Sequence, residues 1–445
     1  MNSKKILIPL FLIGLFSLSS CHSNDDGGSA NSFTLPNLYG MQVSDAKLEV
    51  GANVLFEEVE VKTSELIEGR ILGYADDLEA GDSVTKGSRV KIEVAKRQDS
   101  AIAIDSELVD YYNVIDYVTG PDSPNADILL NAGAYGTDLG IPFALPDGRM
   151  MLLYGDTFSG ANMQGFWNSN FMAITSDKVF YDGLQFDSVV TNDIGAIKPF
   201  AQGLHQEDTY ENIGTEVTKI PTGGISVNGE AYIFYMSIRY WGVAGSWLVS
   251  YNQCLKATDD TYSEWVEVPS LRWTEDELYY AGQIYPYQDP NDMEHIYFLS
   301  IPGGRNDGAV MFRVTTDNFE NRDEYEYLVG DDTWVKGDEG MERLNSKPYY
   351  VCDPAVAEPS LMYSEYLDKY LVATLKGSSI VLLASDKITG PYDDIYPVIN
   401  ASDYFGLYGG FITPLISDSE GQRIYIQLSQ WTPIYNTSLV EVILK

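Results

Sequence analysis

Two aspartates, Asp138 and Asp156, flank a turn in the stretch YGTDLGIPFALPDGRMMLLYGDTFSG, residues 135–160. Paired carboxylates cannot comfortably carry two charges. One keeps its proton near neutral pH, and the pair becomes a neutral acid beside an ionised base or nucleophile. Hydrolysis of a glycosidic bond needs that division of labour. The turn, Pro146-Asp147-Gly148, suits a three-residue hairpin loop in which proline presets the first position and glycine takes the left-handed third. With Leu145 opposite Arg149, an antiparallel register predicts Asp138 directly across from Asp156 on one face, the two bases roughly 5 Å apart. A two-residue Asp147-Gly148 turn would instead set Asp138 against Thr157 and send Asp156 to the other face. Gly-Thr-Asp and Gly-Asp-Thr are also common turn sequences, in which an aspartate only binds nearby backbone N–H groups. Pairing alone leaves the catalytic and structural readings level.

The elements that must position this pair repeat along the chain. From Ala126 onward there is no long amphipathic helix; a hairpin recurs, with an apolar strand, a polar turn and a strand richer in aromatics. The five copies turn near Gly148, Gly229, Asp292, Asp368 and Gly421, with room for an outer pair of strands in each, such as Phe171 to Thr175 after the first. Whole hairpins in series predict an all-β, five-bladed β-propeller over 126–445; a two-sheet sandwich is the alternative. Aligning the copies places Asp138, Glu216, Gln283 and Glu358 at the start of the first strands, facing a central channel. A ring of acids costs electrostatic energy unless it has a task or a cation. Glu216 and Glu358 are therefore candidates for catalysis or for tuning the pair, with a structural calcium, or pairing to Arg239 or Arg305, as the structural alternatives. Histidines and cysteines at metal-ligand spacing do not occur, so no metal site and no cofactor are assigned.

The 445-residue chain carries 28 basic and 65 acidic residues, a formal charge of -37, which argues against nucleic acid or an anionic membrane surface as partner. Its 32 tyrosines and seven tryptophans suit both β-sheet surfaces and sugar sites. Residues 1–20 pair Lys4 and Lys5 with the apolar run Ile6 to Leu18, too short to span a bilayer comfortably, and read as a secretory signal peptide. Leu18-Ser19-Ser20-Cys21 resembles the lipobox of bacterial lipoproteins, which implies lipid attachment at Cys21, a flexible tether over 21–32 and membrane anchoring through the lipid. The acidic residues that follow resemble the signal sorting some lipoproteins to the outer membrane, exposed at the cell surface. Residues 33–97 form a separate α+β unit, with a helix from Ser44 to Glu49 capped by its serine and strands at LFEEVEV, Gly69-Arg70-Ile71 and Val90 to Val94. Leu35-Pro36-Asn37, Gly40-Met41, Ala46, Gly81 and Lys86-Gly87-Ser88 make it similar to the PASTA module, a cell-wall binder or spacer in other proteins. Residues 98–125 read as a linker ending at Pro121 and Pro124.

Within 126–445, Tyr135-Gly136-Thr137-Asp138-Leu139-Gly140, Tyr154-Gly155-Asp156-Thr157-Phe158, Trp167-Asn168-Ser169-Asn170, Glu358-Pro359-Ser360 and Tyr408-Gly409-Gly410 carry a further resemblance. The segment is similar to a family long carried as a domain of unknown function, whose members include endo-D-arabinanases acting on arabinan of mycobacterial-type cell walls and relatives acting on galactofuranose. The resemblance implies a five-bladed propeller hydrolysing furanosidic bonds with retention, Asp138 as nucleophile and Asp156 as acid/base. Retaining enzymes hold their carboxyls about 5 to 5.5 Å apart, in line with the hairpin register. A second geometry, with Asp138 as base across the channel from Glu358 or Glu216, would give inversion. Trp167, Trp241 and Trp431 are candidates to stack on a sugar, Arg239 and Gln283 to hold hydroxyls, and Asn168 and Tyr408 to line the site. His205 lies in a loop, 203–212, placed to cover it, and His295 reads as structural. The expected protein is a surface glycosidase on D-arabinan of arabinogalactan or lipoarabinomannan. The alternatives are an exo-acting galactofuranosidase or arabinofuranosidase, and a non-catalytic glycan-binding lipoprotein of an uptake system.

Overall fold

The computed structural model describes residues 31–209, 215–414 and 421–445. The signal segment, Cys21 and nearly all of the tether lie outside the described residues. Among those described, no helix is long and apolar enough to cross a membrane.

Two compact units form: one holds Glu60 and the described residues before it together with Gly69–Val94, the other Val61–Glu68 with Ala95–Lys445. In the first, Ser88–Lys96 lies between Val54–Lys62 and Ile71–Tyr74, and a short ribbon pairs Ser32–Thr34 with Ser83–Thr85. The helix Val43–Val50 buries Ala46 and Val50, and Ala46 packs with Leu38, Ile71 and Ile92. The serine cap is corrected: Gln42 is the N-cap residue, with no side-chain cap bond.

Among the described residues, the second unit holds five antiparallel blade sheets and one separate two-stranded ribbon, Thr157–Gly160 with Gln164–Asn168. Blade 1 takes Leu139–Ala144, Met150–Tyr154, Phe171–Thr175 and Ser188–Val189; blade 2 takes Thr218–Val227, Glu230–Tyr240, Leu248–Ala257 and Trp265–Thr274. Blade 3 runs from Gln283–Gln288 to Thr333–Lys336, blade 4 from Ser360–Ser364 to Asp394–Asn400. The first strands of successive sheets touch in turn, and that of blade 5, Leu407–Ile412, touches that of blade 1, so the ring closes as a five-bladed propeller. Each anticipated inner hairpin is present.

The strand sequences follow from this stacking. A sheet covered on both faces needs apolar residues on both, and MMLLY at 150–154 is buried at every position. The core accordingly sits between blades, as where Phe298 of blade 3, stacked at 4.8 Å on its cross-strand neighbour Phe312, meets Phe234 of blade 2 edge-on at 5.8 Å. Each such ring contributes about 1.5–3 kcal/mol by leaving water.

The linker over 98–125 is corrected. Val109–Tyr117 is a full strand of blade 5, paired along Asn436–Leu444, and Ile102–Ala103 adds to its edge. The N-terminal side of the propeller thus completes its last sheet. Residues 61–68, expected in the small module, group with the propeller too; Ser64 Oγ donates to the buried Glu441 carboxylate at 2.9 Å, and Asn113 Nδ2 does so at 3.1 Å.

Candidate active site

Asp138 and Asp156 reach the same cavity, of about 430 Å³, where the inner strands of the blades converge. The loop that sets them has the predicted form. The Gly148 N–H donates to the Leu145 carbonyl (3.0 Å), the Leu145 N–H donates to the Arg149 carbonyl (2.8 Å), and Gly148 has φ 87°. The pairs Ala144–Met150 through Ile141–Leu153 keep the predicted register.

Beyond them the register is corrected. Leu139 and Gly140, at φ 70° and 72°, form a bulge; Leu139 pairs with Tyr154, and the Gly155 N–H donates to the Asp138 carbonyl at 3.2 Å. Asp138 therefore stands opposite Gly155, not Asp156. The physical reason lies in blade 5, whose Ser429 hydroxyl accepts the Leu139 N–H at 2.8 Å and draws the extra residue out of the ladder. The Asp138 carboxylate folds over Gly155, where any Cβ would collide with Oδ1.

Different surroundings then divide the pair. Asp138 Oδ2 accepts from the Tyr408 hydroxyl at 2.7 Å, while Oδ1 is buried and accepts no hydrogen bond among the described residues. Burial raises the Asp138 pKa to about 6; Tyr408, Tyr435 and Arg305 hold it down against that pressure, and the Glu358 charge adds to it. Both donors to Asp156, Trp167 Nε1 at 2.8 Å and Thr218 Oγ1 at 2.6 Å, reach its Oδ1. Oδ2 is left as the seat for a proton. Burial, reinforced by the Asp138 charge, raises Asp156 to about 8 against those two donors. Burial thus pushes Asp156 further up than Asp138, which favours Asp156 as the holder of the shared proton.

The sign of the linked stability effect follows. An ionised Asp156 costs stability in the fold, a cost that begins above the ordinary carboxylate range and is complete above its raised value. Asparagine keeps an oxygen for Trp167 and Thr218. Asp156→Asn is thus expected to resist urea better than the parent at about pH 9, the gap closing toward about pH 4. Equal midpoints at the alkaline end would refute the assignment.

Residues 123–441 match the family described as Domain of unknown function (DUF4185). The chain belongs to this family. Its DUF4185 domain is similar to Notoamide biosynthesis cluster protein J' of Aspergillus versicolor, with 29% identity over 318 residues, 67% of this chain and 82% of that protein. Among solved structures, a candidate hydrolase from Bacteroides ovatus matches with a TM-score of 0.50 and 15% identity, covering 72% of this chain and 88% of that one. Arabinanase Arb43A of Bacillus subtilis gives a TM-score of 0.40 and 13% identity over 69% and 95% of the two chains. The likeness to the Bacteroides ovatus structure bears on the fold alone.

The DUF4185 site gathers some of the expected residues and not others. Gln283, Trp241, Glu358, Tyr408 and Trp431 line the cavity. Gln283 is buried and donates to the Gly304 carbonyl at 2.8 Å, whereas Trp431 is 55% exposed at the mouth. Glu358 is met by Arg305 through two nitrogens, Nη2 at 2.6 Å and Nε at 3.0 Å. Glu216 is corrected: it does not line the cavity and is held by Ser237 (2.7 Å), Tyr251 (3.1 Å) and Lys219 (3.7 Å). Arg239 also lies off the lining, paired with Glu275 at 2.5 Å, as does Asn168. Trp167 is no sugar platform. One face carries His205, centroids 3.8 Å apart at an interplanar angle of 3°, and Phe158 stacks at 6.0 Å; its part is to hold Asp156. His205 is accordingly a packed residue, its Nε2 2.9 Å from Ser169 Oγ, and burial lowers its pKa.

The acid ring is thus met by Arg305 and Lys219, and no group of three or more histidine, cysteine or acidic side chains is placed to hold a metal ion among the described residues. Cys254 and Cys352 are both free and buried. Sequence reasoning missed Thr218, Trp247 and Tyr435. Tyr435 lines the cavity and donates to the Asp156 backbone carbonyl at 3.0 Å; it immediately precedes the strand Asn436–Leu444, outside the last hairpin.

Proposed function

We propose that the chain is a glycoside hydrolase that cleaves furanosidic linkages with retention, D-arabinan being the leading substrate and a galactofuranoside the second. The observation that carries the reading is the unequal pair in one cavity: Asp138, whose Oδ2 accepts from Tyr408 while Oδ1 accepts no hydrogen bond among the described residues, beside Asp156, both of whose donors reach Oδ1 and whose burial pushes its carboxyl up to about 8. In this mechanism Asp138 attacks the anomeric carbon as the glycosidic C–O bond breaks, and Asp156 gives its proton to the departing oxygen. Water then attacks the same carbon, Asp156 takes a proton from it, and the Asp138 ester bond breaks. Trp241 and Trp431 offer ring faces to the sugar. Inversion through Glu358 is less well supported, because the Arg305 guanidinium already engages both of its oxygens, Oε1 at 2.6 Å and Oε2 at 3.2 Å. Lipid anchoring at Cys21, surface exposure and a PASTA-like spacer complete the proposal and rest on sequence alone.

The test incubates the protein, without its signal segment, with arabinogalactan, lipoarabinomannan and a galactofuranoside, and follows products by chromatography and anomeric configuration by NMR. A ladder of arabino-oligosaccharides first released with retained configuration is expected. Binding without any release would instead favour the sugar-capture protein, and inverted products would reject the covalent route.

A further inference from the structure

We infer that a recess beside the catalytic cavity is a second carbohydrate subsite, taking a further sugar unit of the same substrate chain; the inference rests on the hydrolase reading above. Directly after Asp156 the chain leaves the blade as an arm, Thr157–Gly160 paired with Gln164–Asn168. Between the tip of that arm and the turn at 433–436 lies a cavity of about 150 Å³. It shares two walls, Met163 and Tyr435, with the 430 Å³ cavity that holds Asp138 and Asp156. A ligand too long for the first space therefore meets the second across one ridge of side chains.

The chemistry of the recess suits a sugar. Tyr135, Pro121 and Pro433 line it with rings suited to C–H groups, and Asp122 and Asn162, both exposed, add a carboxylate and an amide suited to hydroxyls. The arm tip supplies an independent observation. The Gln164 N–H donates to the Ala161 carbonyl at 3.2 Å, and the two residues between, Asn162 and Met163, have φ 53° and 55°. Such a turn favours asparagine and glycine, and a bulky side chain seldom adopts its second position. Methionine there sets a flexible apolar side chain between the two cavities, where glycine would have made the turn more easily. Strain retained at the wall of a site points to a use for that side chain.

The test measures kcat/KM on D-arabinofuranose oligosaccharides of increasing length, and affinity for the same series on Asp138→Asn. Both should rise about tenfold when the chain first fills the recess and then level off. In Asp122→Ala and in Met163→Gly the ratio between long and short substrates should fall by at least about threefold. Values independent of length, or a ratio unchanged in both variants, would overturn the subsite. If no member of the series is cleaved, the hydrolase reading falls separately. Affinity on Asp138→Asn then still decides the recess: growth with length that Asp122→Ala removes supports it, and no growth overturns it.

Discussion

Asp156→Asn is expected to lower kcat by about 10²–10⁴-fold while KM stays within a few-fold, and Asp138→Asn to lower it at least as far. The two losses should differ in character. Without Asp138 the attacking oxygen is gone, so a small external nucleophile such as azide should restore turnover of an activated glycoside in Asp138→Ala and leave a product of inverted configuration. Without Asp156 it is the proton for the departing oxygen that is gone, so the loss should shrink on substrates whose leaving group needs none. The parent enzyme should show a bell-shaped kcat/KM profile with limbs near the raised values of about 6 and about 8. The two limbs belong to the coupled pair and not to either residue alone. A profile flat across that window, or variants with the parent's kcat, would remove the pair from the chemistry.

The second large effect is predicted at Arg305. Its guanidinium meets the Glu358 carboxylate, which is only 8% exposed, and lies 5.2 Å from the ring centroids of both Trp247 and Tyr408. Arg305→Ala strands that carboxylate, and breaking such a pair from one side costs about 3 kcal/mol even with the arginine partly accessible. The same change removes a charge that holds Asp138 down and leaves one that pushes it up. The acidic limb of the pH profile should therefore move to higher pH. Adding Glu358→Gln to Arg305→Ala should recover most of the lost urea resistance and return the limb toward its parent position. A double variant as unstable as the single one would show that Arg305 serves packing rather than charge.

How much of this was legible follows from what each signal encodes. The five hairpins could be read because turn chemistry and period-two apolar patterning are local, and Pro146-Asp147-Gly148 named its own loop. The bulge at Leu139 and Gly140 could not, since it depends on Ser429 from another blade, although a glycine within a strand is a known hint of one. Trp167 shows the same boundary: residue type says that a ring can stack, but not that His205 has already taken the face. Glu216 aligned with Asp138 by sequence, yet its strand begins at Thr218, and that threonine, not the glutamate, reaches Asp156. The strand Val109–Tyr117 went unread because its partner begins at Asn436.

That distant pairing also governs when the molecule can first exist. The last sheet is complete only once Asn436–Leu444 meets Val109–Tyr117, so a nascent chain carries an unmatched strand edge along Val109–Tyr117 until a strand more than three hundred residues downstream has been made. Loss of Asn436–Leu444 would thus open the circle at the sheet whose inner strand carries Tyr408, and the harm would reach the acid pair through the hydroxyl that Tyr408 donates to Asp138.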